Sequence, residues 1–270
     1  MDYAILIMLL SVGGGEIYIP YAIEVDAQII QVFDPITHIR VDTPTEPTRT
    51  LIEAKVEKDT RWVLCKRPIE FAGGELTMAT LDLSYNESAK YYKAPPHIKA
   101  NGGVFLIDDF GRQLVRPRDL LNRWIVPLEK RVDYLTLHTG KVFQIPFDTI
   151  VLFATNLEPA KLADEAFLRR IRNKIYIADP TPERFRQIFE EVCKKKGVPY
   201  DSSAMDYILE FVYQKYQLNM RSCHPRDLIE QIISIAKFNG VPPTLSKTFI
   251  DRACHTYFFV EAAEYDQNMG

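Results

Sequence analysis

Two short apolar runs, each ending in polar residues, constrain the fold of this chain more than any other feature. Residues 104–107 run Val-Phe-Leu-Ile into Asp108 and Asp109, and residues 149–155 form a second such run before Asn156. Continuous apolar runs of this length are typical of parallel strands that are buried on both faces. Because ligands bind at the carboxyl ends of such strands, the sequence predicts an α/β fold whose polar tips meet at one sheet edge.

The size and composition of the chain suit one large domain and one small one. It has 270 residues, of which 47% are hydrophobic, and this is ample for a sizeable core. The formal net charge of −3 gives no global electrostatic reason to expect nucleic-acid binding. Any contact with nucleic acid would therefore have to be made by a local patch.

The cysteines and the N-terminal run favour a cytoplasmic protein. The four cysteines form no CxxC pair, and in the Cys-His pairs at 223–224 and 254–255 adjacent side chains point in different directions, which argues against zinc. The apolar run at residues 4–10 is far shorter than the ~20 residues of a membrane span. A secretory signal is not indicated either, because Asp2 precedes that run and no Lys or Arg occurs before Arg40.

The remaining β-rich segments lie mainly in the first half of the chain. Residues 16–33 predict a pair of strands, with a break at Asp26-Ala27. Residues 61–83 predict a hairpin inserted in the sheet, turning at Gly73-Gly74. Lys174–Ile177 predicts a third, weaker strand of the parallel sheet. A helix is expected between the two apolar strands, from the apolar spacing at residues 120–128.

Beyond Pro180 the pattern becomes helical. Thr181 is a suitable N-cap and Pro182 suits the first helical position. Apolar residues at helical spacing, separated by Gly or Pro turns, predict four helices: Phe185–Lys196, Ser203–Tyr216, Pro225–Asn239 and Ser246–Phe259. We therefore expect an α/β domain at residues 1–180 and a small all-α domain at residues 181–270.

Four positions carry chemistry in a fixed order along the chain: Asp108-Asp109, Asn156, Arg169-Arg170 and Arg226. Each also has an ordinary structural interpretation. Buried strands often end in polar residues, and Asn commonly caps the next segment. The arginines at 169 and 170 can pair with nearby acids on an amphipathic helix, and Arg226 can be a solvated charge at a helix start. The pattern is informative because all four occur together.

In this order the four positions resemble the AAA+ ATPase family over residues 16–260. The resemblance implies a parallel-sheet core with an inserted β-hairpin, followed by a helical lid. It implies that Asp108 holds Mg²⁺ and Asp109 acts on the attacking water as in a Walker B motif, although most relatives carry Glu at the second position. Asn156 would position that water, Arg169 or Arg170 would be an arginine finger, and Arg226 would reach the phosphates of ATP.

The segment 95–103, which ends in Gly102-Gly103 before the first apolar strand, resembles the gene-control and MoxR-like branches of the family. Relatives form ring-shaped oligomers and remodel a protein or nucleic-acid client. For this chain the resemblance implies a homo-oligomeric ring or a ring with AAA+ partner subunits. His97 and His138 have no recognisable partners in the sequence, so we interpret them as structural or surface residues.

No phosphate-binding loop of the form GxxxxGK[ST] occurs in the sequence. The chain has no lysine before Lys55, and Glu16 follows the glycine cluster at residues 13–15. By the resemblance, residues 4–12 match the helix after that loop, and Glu16–Ile23 match the second strand. A rival interpretation makes residues 4–10 the first strand. We therefore expect a module whose N-terminal part is absent and which binds ATP poorly.

Two functional hypotheses remain open from the sequence. The first is an AAA+ ATPase module that lacks its first segment, in which the loss of a central strand would loosen the α/β part more than the helical part. The second is a non-catalytic AAA+ ring or interaction subunit that lends Arg169 or Arg170 to an active neighbour. An in-frame GxxxxGK[ST] upstream of Met1 would favour the first hypothesis.

Overall fold

The computed structural model describes residues 14–41, 59–158, 162, 168–171 and 173–258. Two compact units make up the chain, the first ending at Lys174 and the second beginning at Ile175. The predicted domain ranges, 1–180 and 181–270, stay predictions. The expected helix or strand at residues 4–12 lies outside the described residues.

The first unit contains eleven described strands and the shorter helices. The strands are β1 (Glu16–Pro20), β2 (Ala22–Val25), β3 (Gln28–Gln31), β4 (Trp62–Lys66), β5 (Ile69–Ala72), β6 (Ser84–Asn86), β7 (Tyr91–Lys93), β8 (Val104–Ile107), β9 (Val132–Thr136), β10 (Val142–Pro146) and β11 (Ile150–Phe153). The helices are α1 (Pro96–Lys99), α2 (Pro117–Arg123) and α3 (Ile125–Lys130).

A three-stranded parallel sheet forms the centre of this unit, in the order β11, β8, β5. The two apolar runs that the sequence identified are adjacent, since β8 pairs in parallel with β11 and Ile107 lies opposite Phe153. All four residues of β8 are buried. The predicted parallel strands and their common carboxyl edge are therefore confirmed.

The inserted β-hairpin is present, but at a different place from the predicted one. It is formed by β9 and β10, which pair antiparallel between α3 and β11. The predicted hairpin at residues 61–83 is wrong, because β4 pairs antiparallel with β1 while β5 pairs in parallel with β8. Gly73-Gly74 ends a parallel strand there, and the chain continues into a short 3₁₀ turn at Ala79–Leu81.

Two other strand predictions need correction. The strand pair in residues 16–33 exists as the β2–β3 hairpin, whose turn residues Asp26 and Ala27 have φ of 54° and 59°. Glu16–Ile23, however, is not in the parallel sheet, because β1 takes β4 as its partner. Lys174–Ile177 forms no strand with any described residue, and the side chain of Tyr176 is 91% exposed.

A largely buried charged network links the helices of the first unit to its hairpin. His97 of α1 makes a 2.9 Å hydrogen bond from Nε2 to Oδ2 of Asp133 in β9, and neither side chain is exposed. Arg123 of α2 donates to both carboxylate oxygens of Asp133, at 3.1 Å for Oδ2. Burial lowers the pKa of His97, despite its acidic partner. Burial opposes ionisation of Asp133, but the bonds from His97 and Arg123 outweigh it and lower the pKa of Asp133.

The second unit is helical throughout its regular elements. It contains α4 (Pro182–Lys196), α5 (Ser202–Tyr207) with a π-helical continuation at Ile208–Gln214, α6 (His224–Phe238) and α7 (Lys247–Phe258). These match the four predicted helices. Thr181 caps α4 as predicted, accepting a 3.3 Å bond at Oγ1 from the amide of Arg184. Gly197 ends α4 in the left-handed conformation at φ 71°.

The predicted fold class is confirmed: an α/β unit with parallel strands and an inserted hairpin precedes a small helical region. The core of the helical region is a cluster of buried side chains from all four helices, among them Phe185, Phe189, Met205, Ile229 and Ile250. In the described part of the chain, no helix is both long enough and apolar enough to cross a membrane.

Candidate functional site

The two acids lie at the carboxyl end of the central strand. Asp108 follows β8 directly, and its amide donates to the carbonyl of Ala72 at the end of β5 at 2.9 Å. Its side chain is half-buried, and Oδ1 accepts a 3.0 Å bond from the amide of Asp109. Asp109 itself is exposed and adopts a left-handed backbone with φ of 49°, which Asp tolerates better than most residues. The strand end thus presents one anchored carboxylate and one open to solvent.

Gln113 holds the turn that follows these acids. Its Nε2 donates to the carbonyl oxygens of Asp108 and Asp109, at 2.7 and 3.2 Å. Its Oε1 accepts from the amide of Gly111 at 2.8 Å. Gly111 has φ of 106°, and a Cβ there would lie 2.5 Å from a methyl group of Leu162. The side chain of Gln113 therefore closes the turn and fixes the backbone that carries both carboxylates.

The neighbouring strand brings Asn156 to the same edge of the sheet. Ala154 donates to the carbonyl of Ile107 at 2.9 Å and accepts from the amide of Phe110 at 2.7 Å, so the ends of β8 and β11 are joined. Oγ1 of Thr155 donates to the carbonyl of Phe110 at 2.8 Å. Asn156 comes next and its side chain is exposed. The predicted meeting of Asp108, Asp109 and Asn156 at one edge is confirmed at the level of the strands.

The arginines at 169 and 170 differ in their surroundings. Arg169 is exposed, whereas Arg170 is half-buried and its Nε donates to Glu129 at 2.6 Å. Glu129 belongs to α3. Arg170 therefore pairs with an acid of its own chain, as the structural interpretation predicted, but this acid is farther away in the sequence than the nearby acids that were expected. The residues around 164 and 165 lie outside the described part of the chain. The greater exposure of Arg169 favours it over Arg170 as a group that reaches another molecule.

Arg226 lies in the first turn of α6, in the helical unit. It donates from Nε to Oδ1 of Asp227 at 2.8 Å, and the hydrogen bond and charge of Asp227 raise the pKa of Arg226. Oδ2 of Asp227 accepts from the hydroxyl of Tyr257 at 2.8 Å. The side chain of Arg226 is 40% exposed, so it remains accessible while Asp227 orients its guanidinium group.

The carboxylates fit a magnesium ion of the kind that nucleotides carry. Magnesium is usually held by one or two carboxylates together with water and substrate phosphates, not by a complete protein cage. Asp108 offers a half-buried carboxylate beside the exposed one of Asp109. In the described part of the chain, no three His, Cys, Asp or Glu side chains are grouped so that they could bind a metal by themselves.

Comparisons with known proteins place only part of the chain. A family model described as a domain of unknown function, DUF8689, matches residues 181–256. No curated protein sequence matches the chain. Among solved structures, NtrX from Brucella abortus in complex with ADP has a TM-score of 0.49 at 14% identity, over 74% of this chain and 46% of that one.

A point mutant of Thermotoga maritima RuvB is a second structural neighbour. It has a TM-score of 0.45 at 11% identity, and the match covers 70% of this chain and 53% of that one. The chain thus spans about half the length of either structure.

Sequence reasoning missed Gln113 and Thr155, which shape the site through backbone contacts. Thr155 carried a signal, because it lies in the polar tip of β11 next to Asn156. Gln113 carried none, because its role depends on the turn at Gly111 that folds it back onto the acids. The two histidines interpreted as structural do have partners: His97 bonds Asp133, and His138 bonds the hydroxyl of Tyr92.

Proposed function

We propose that this chain belongs to an AAA+ ATPase module, with its water-activating site at Asp108, Asp109 and Asn156. The observation that carries the proposal is the parallel pairing of β8 with β11, in which Ile107 lies opposite Phe153. This register supports a site where Asp108 holds Mg²⁺, Asp109 accepts a proton from water and Asn156 orients that water. The bound nucleotide would supply the phosphoryl group.

The arginines complete the proposed site. Arg226, oriented by Asp227, would contact the phosphates of ATP from the lid of the same subunit. Arg169 is the preferred arginine finger because its side chain is exposed, whereas that of Arg170 is half-buried against Glu129. A finger acts on the nucleotide of a neighbouring subunit, so the proposal includes a homo-oligomeric ring or AAA+ partner subunits. In such a cytoplasmic, MoxR-like assembly, hydrolysis would drive remodelling of a protein or nucleic-acid client.

We expect this chain to bind ATP and Mg²⁺ poorly. Its sequence holds no GxxxxGK[ST], and without that lysine and its amide cradle the carboxylates at 108 and 109 repel the phosphates. Calorimetric titration with ATP and Mg²⁺ tests this directly. We expect no saturable heat at micromolar ATP, and a dissociation constant in the low micromolar range would contradict the proposal.

The hydrolytic assignment is tested on a protein extended at its N-terminus by a first strand and a P-loop. The segment is taken from the upstream reading frame, or grafted if that frame contains none. Asp109→Asn in this protein should lower ATP turnover by about 10²-fold or more, because the amide keeps the shape but accepts no proton.

The matched control for that experiment is Asp26→Asn. Asp26 is also exposed and also has a left-handed backbone, with φ of 54°, but it lies in the β2–β3 turn. We expect turnover of the control to stay within about twofold of the parent, since nothing places Asp26 near the phosphates. Equal turnover in the parent and in Asp109→Asn would contradict the Walker B assignment.

A second candidate function is a non-catalytic AAA+ ring subunit. The exposure of Arg169 favours it, because a subunit that cannot hold ATP can still present a finger to its neighbour. In that case the chain should raise the turnover of an active AAA+ partner, and Arg169→Ala should abolish the rise. The matched control is Arg61→Ala, which removes another exposed arginine of the same unit. Activation that persists in Arg169→Ala would reject this role.

A further inference from the structure

A short arginine-rich segment next to the acids has no part in the proposed hydrolytic site. Residues 110–118 contain Arg112, Arg116 and Arg118 and no acid. All three arginines are exposed, and no described residue hydrogen-bonds or ion-pairs with their guanidinium groups. Other arginines of this unit are engaged, as Arg123 is by Asp133 and Arg170 is by Glu129.

Alternating burial gives this segment two distinct faces. Val115 is buried and Gln113 is half-buried, whereas Arg112, Leu114 and Arg116 between and beside them are exposed. Backbone bonds from Leu114 to Gly74 and from Val115 to Leu76 hold the segment against the end of β5, at 3.0 and 3.1 Å. Arg112 and Arg116 are therefore presented outward from a fixed backbone, and Arg118, which is also exposed, follows in the first turn of α2.

Leu114 makes the outward face more than a solvated charge run. Its side chain is 77% exposed between Arg112 and Arg116, so an apolar group lies within the charged segment. Unpaired guanidinium groups bind phosphate oxygens in a planar, bidentate way and can also stack on unpaired bases, and the exposed side chain of Leu114 offers such a base an apolar contact. The flanking acids, Asp109 and Asp119, lie at the two ends of the segment and not within it.

We propose that Arg112, Arg116 and Arg118 form a binding surface for the phosphate backbone of a single-stranded nucleic acid. The chain has a net charge of −3, so binding has to come from a local patch of this kind. Leu114 contacts a base between the phosphates that the arginines hold. The proposed surface defines the chemistry of the client in the proposed function. Binding itself does not depend on that function, and only the use of the bound strand rests on it.

The position of Gln113 connects this surface to the acids. Gln113 lies between Arg112 and Leu114 but faces inward, where its amide bonds the carbonyl oxygens of Asp108 and Asp109. A strand held on the outer face therefore acts on the same backbone that carries the two carboxylates. Client binding and the geometry of the acids are linked through this one side chain.

The test is fluorescence anisotropy of a labelled oligodeoxythymidine with the full chain, without nucleotide. Arg112→Ala, Arg116→Ala and Arg118→Ala together should weaken binding by about tenfold or more at low salt. The slope of log K against log salt should fall by about 2, since each phosphate contact on a single strand contributes about 0.7. Leu114→Ser should weaken binding without changing that slope.

The matched control replaces Lys66, Lys130 and Lys141 by alanine, which removes the same charge from exposed positions of the same unit. We expect its affinity to stay within about threefold of the parent. The proposal is overturned by absence of binding, by equal losses in both triple variants, or by polyglutamate competing as well as the oligonucleotide at equal charge. Because no ATP is used, failure here leaves the hydrolytic proposal standing, and failure of hydrolysis leaves this result unaffected.

Discussion

In the helical unit the regular hydrogen bonds join residues close in sequence, whereas the α/β unit depends on contacts between distant parts of the chain. In the helical unit each helix makes its own backbone hydrogen bonds, and caps such as Thr181 and Gly197 are local. In the α/β unit the central strand β8 depends on β5 and β11, which come from distant parts of the chain. A local change should therefore stay local in the helical unit, while in the α/β unit it should spread through the sheet.

The two units also differ in how deeply their ion pairs are buried. The His97–Asp133 pair of the α/β unit is fully buried, and Arg123 beside it is 20% exposed. In the helical unit, the ion pairs Arg186–Asp206 and Lys196–Glu230 lie at the surface, and the pair Arg226–Asp227 is partly exposed. A buried charge that loses its partner cannot be solvated by water, so the α/β unit is the more vulnerable to loss of a single ionic group.

The largest effect is expected from Arg123→Met. This change leaves Asp133 buried without its arginine and should destabilise the α/β unit by about 3–5 kcal/mol. The matched change in the helical unit, Arg186→Met, breaks an exposed pair and should cost less than about 1 kcal/mol. Urea unfolding with residue-resolved amide exchange measures both. Similar losses in the two variants would contradict the contrast between buried and exposed charge.

A smaller effect is expected from Gly111→Ala in the turn after the acids. Alanine at φ 106° is strained, and its Cβ would lie 2.5 and 2.9 Å from methyl groups of Leu162 and Leu157. We expect a loss of about 2 kcal/mol in the α/β unit. Gly197 ends α4 at φ 71° with no atom within 4 Å of an added Cβ, so Gly197→Ala should cost only about 1 kcal/mol. Thermal unfolding measures the loss of stability in both variants. A larger loss for Gly197→Ala than for Gly111→Ala would contradict the expected difference between the units.

Both units should lose stability at acid pH, each through one buried or partly buried histidine. Burial lowers the pKa of His97 below its ordinary value of 6.5, and burial followed by the charge of Arg221 lowers that of His224. As pH falls below about 6.5 the unfolded chain therefore binds a proton that the folded chain does not, and stability decreases by at most about 1.4 kcal/mol per pH unit for each histidine.

Matched variants assign this pH dependence to each unit. His97→Gln should flatten the dependence between pH 5 and 6.5 for amides of β8 only, and His224→Gln should do so for amides of α6 only. The measurement is amide exchange as a function of pH, corrected for intrinsic rates. Stability that rises as pH falls through this range would show that these histidines are protonated in the folded protein.

The smallest effect is expected from Thr181→Ala. Loss of the 3.3 Å bond from the amide of Arg184 should cost about 1 kcal/mol, confined to the helical unit. Thr181→Ser keeps the capping oxygen and should cost only a few tenths of a kcal/mol. Urea unfolding followed by amide exchange in α4 measures both. A loss that reached β8 would show that the two units unfold together.

The helices and the two apolar strands were predictable because their signals are local. Periodic apolar residues and the Thr181-Pro182 cap define α4, and β8 and β11 are continuous apolar runs. The pairing of strands was harder to predict from the sequence, because β4 and β5 have similar composition yet join different sheets. The missed β9–β10 hairpin did carry a signal: alternating residues flank a turn at Gly140, where φ is 84°.

The residues of the candidate site also differ in whether the sequence alone could predict them. Asp108, Asp109 and Asn156 could be placed because each follows an apolar strand. Gln113 could not, because it acts through a turn that only the folded chain forms. The partners of Arg170 and Arg226 were equally hidden, since Glu129 lies on another helix and Asp227 gains its orientation from Tyr257.

The most direct test of the account is a double-mutant cycle on ATP turnover in the N-terminally extended protein. Asp109→Asn and Asn156→Ala are measured singly and together, with Asp26→Asn as the control for a left-handed aspartate. If both side chains act on one water, the double variant should be no more than about threefold slower than Asp109→Asn alone, because groups that work as a unit are not additive. Losses that multiply, or an Asp109→Asn variant with the turnover of its parent, would contradict a single water-activating site at this sheet edge.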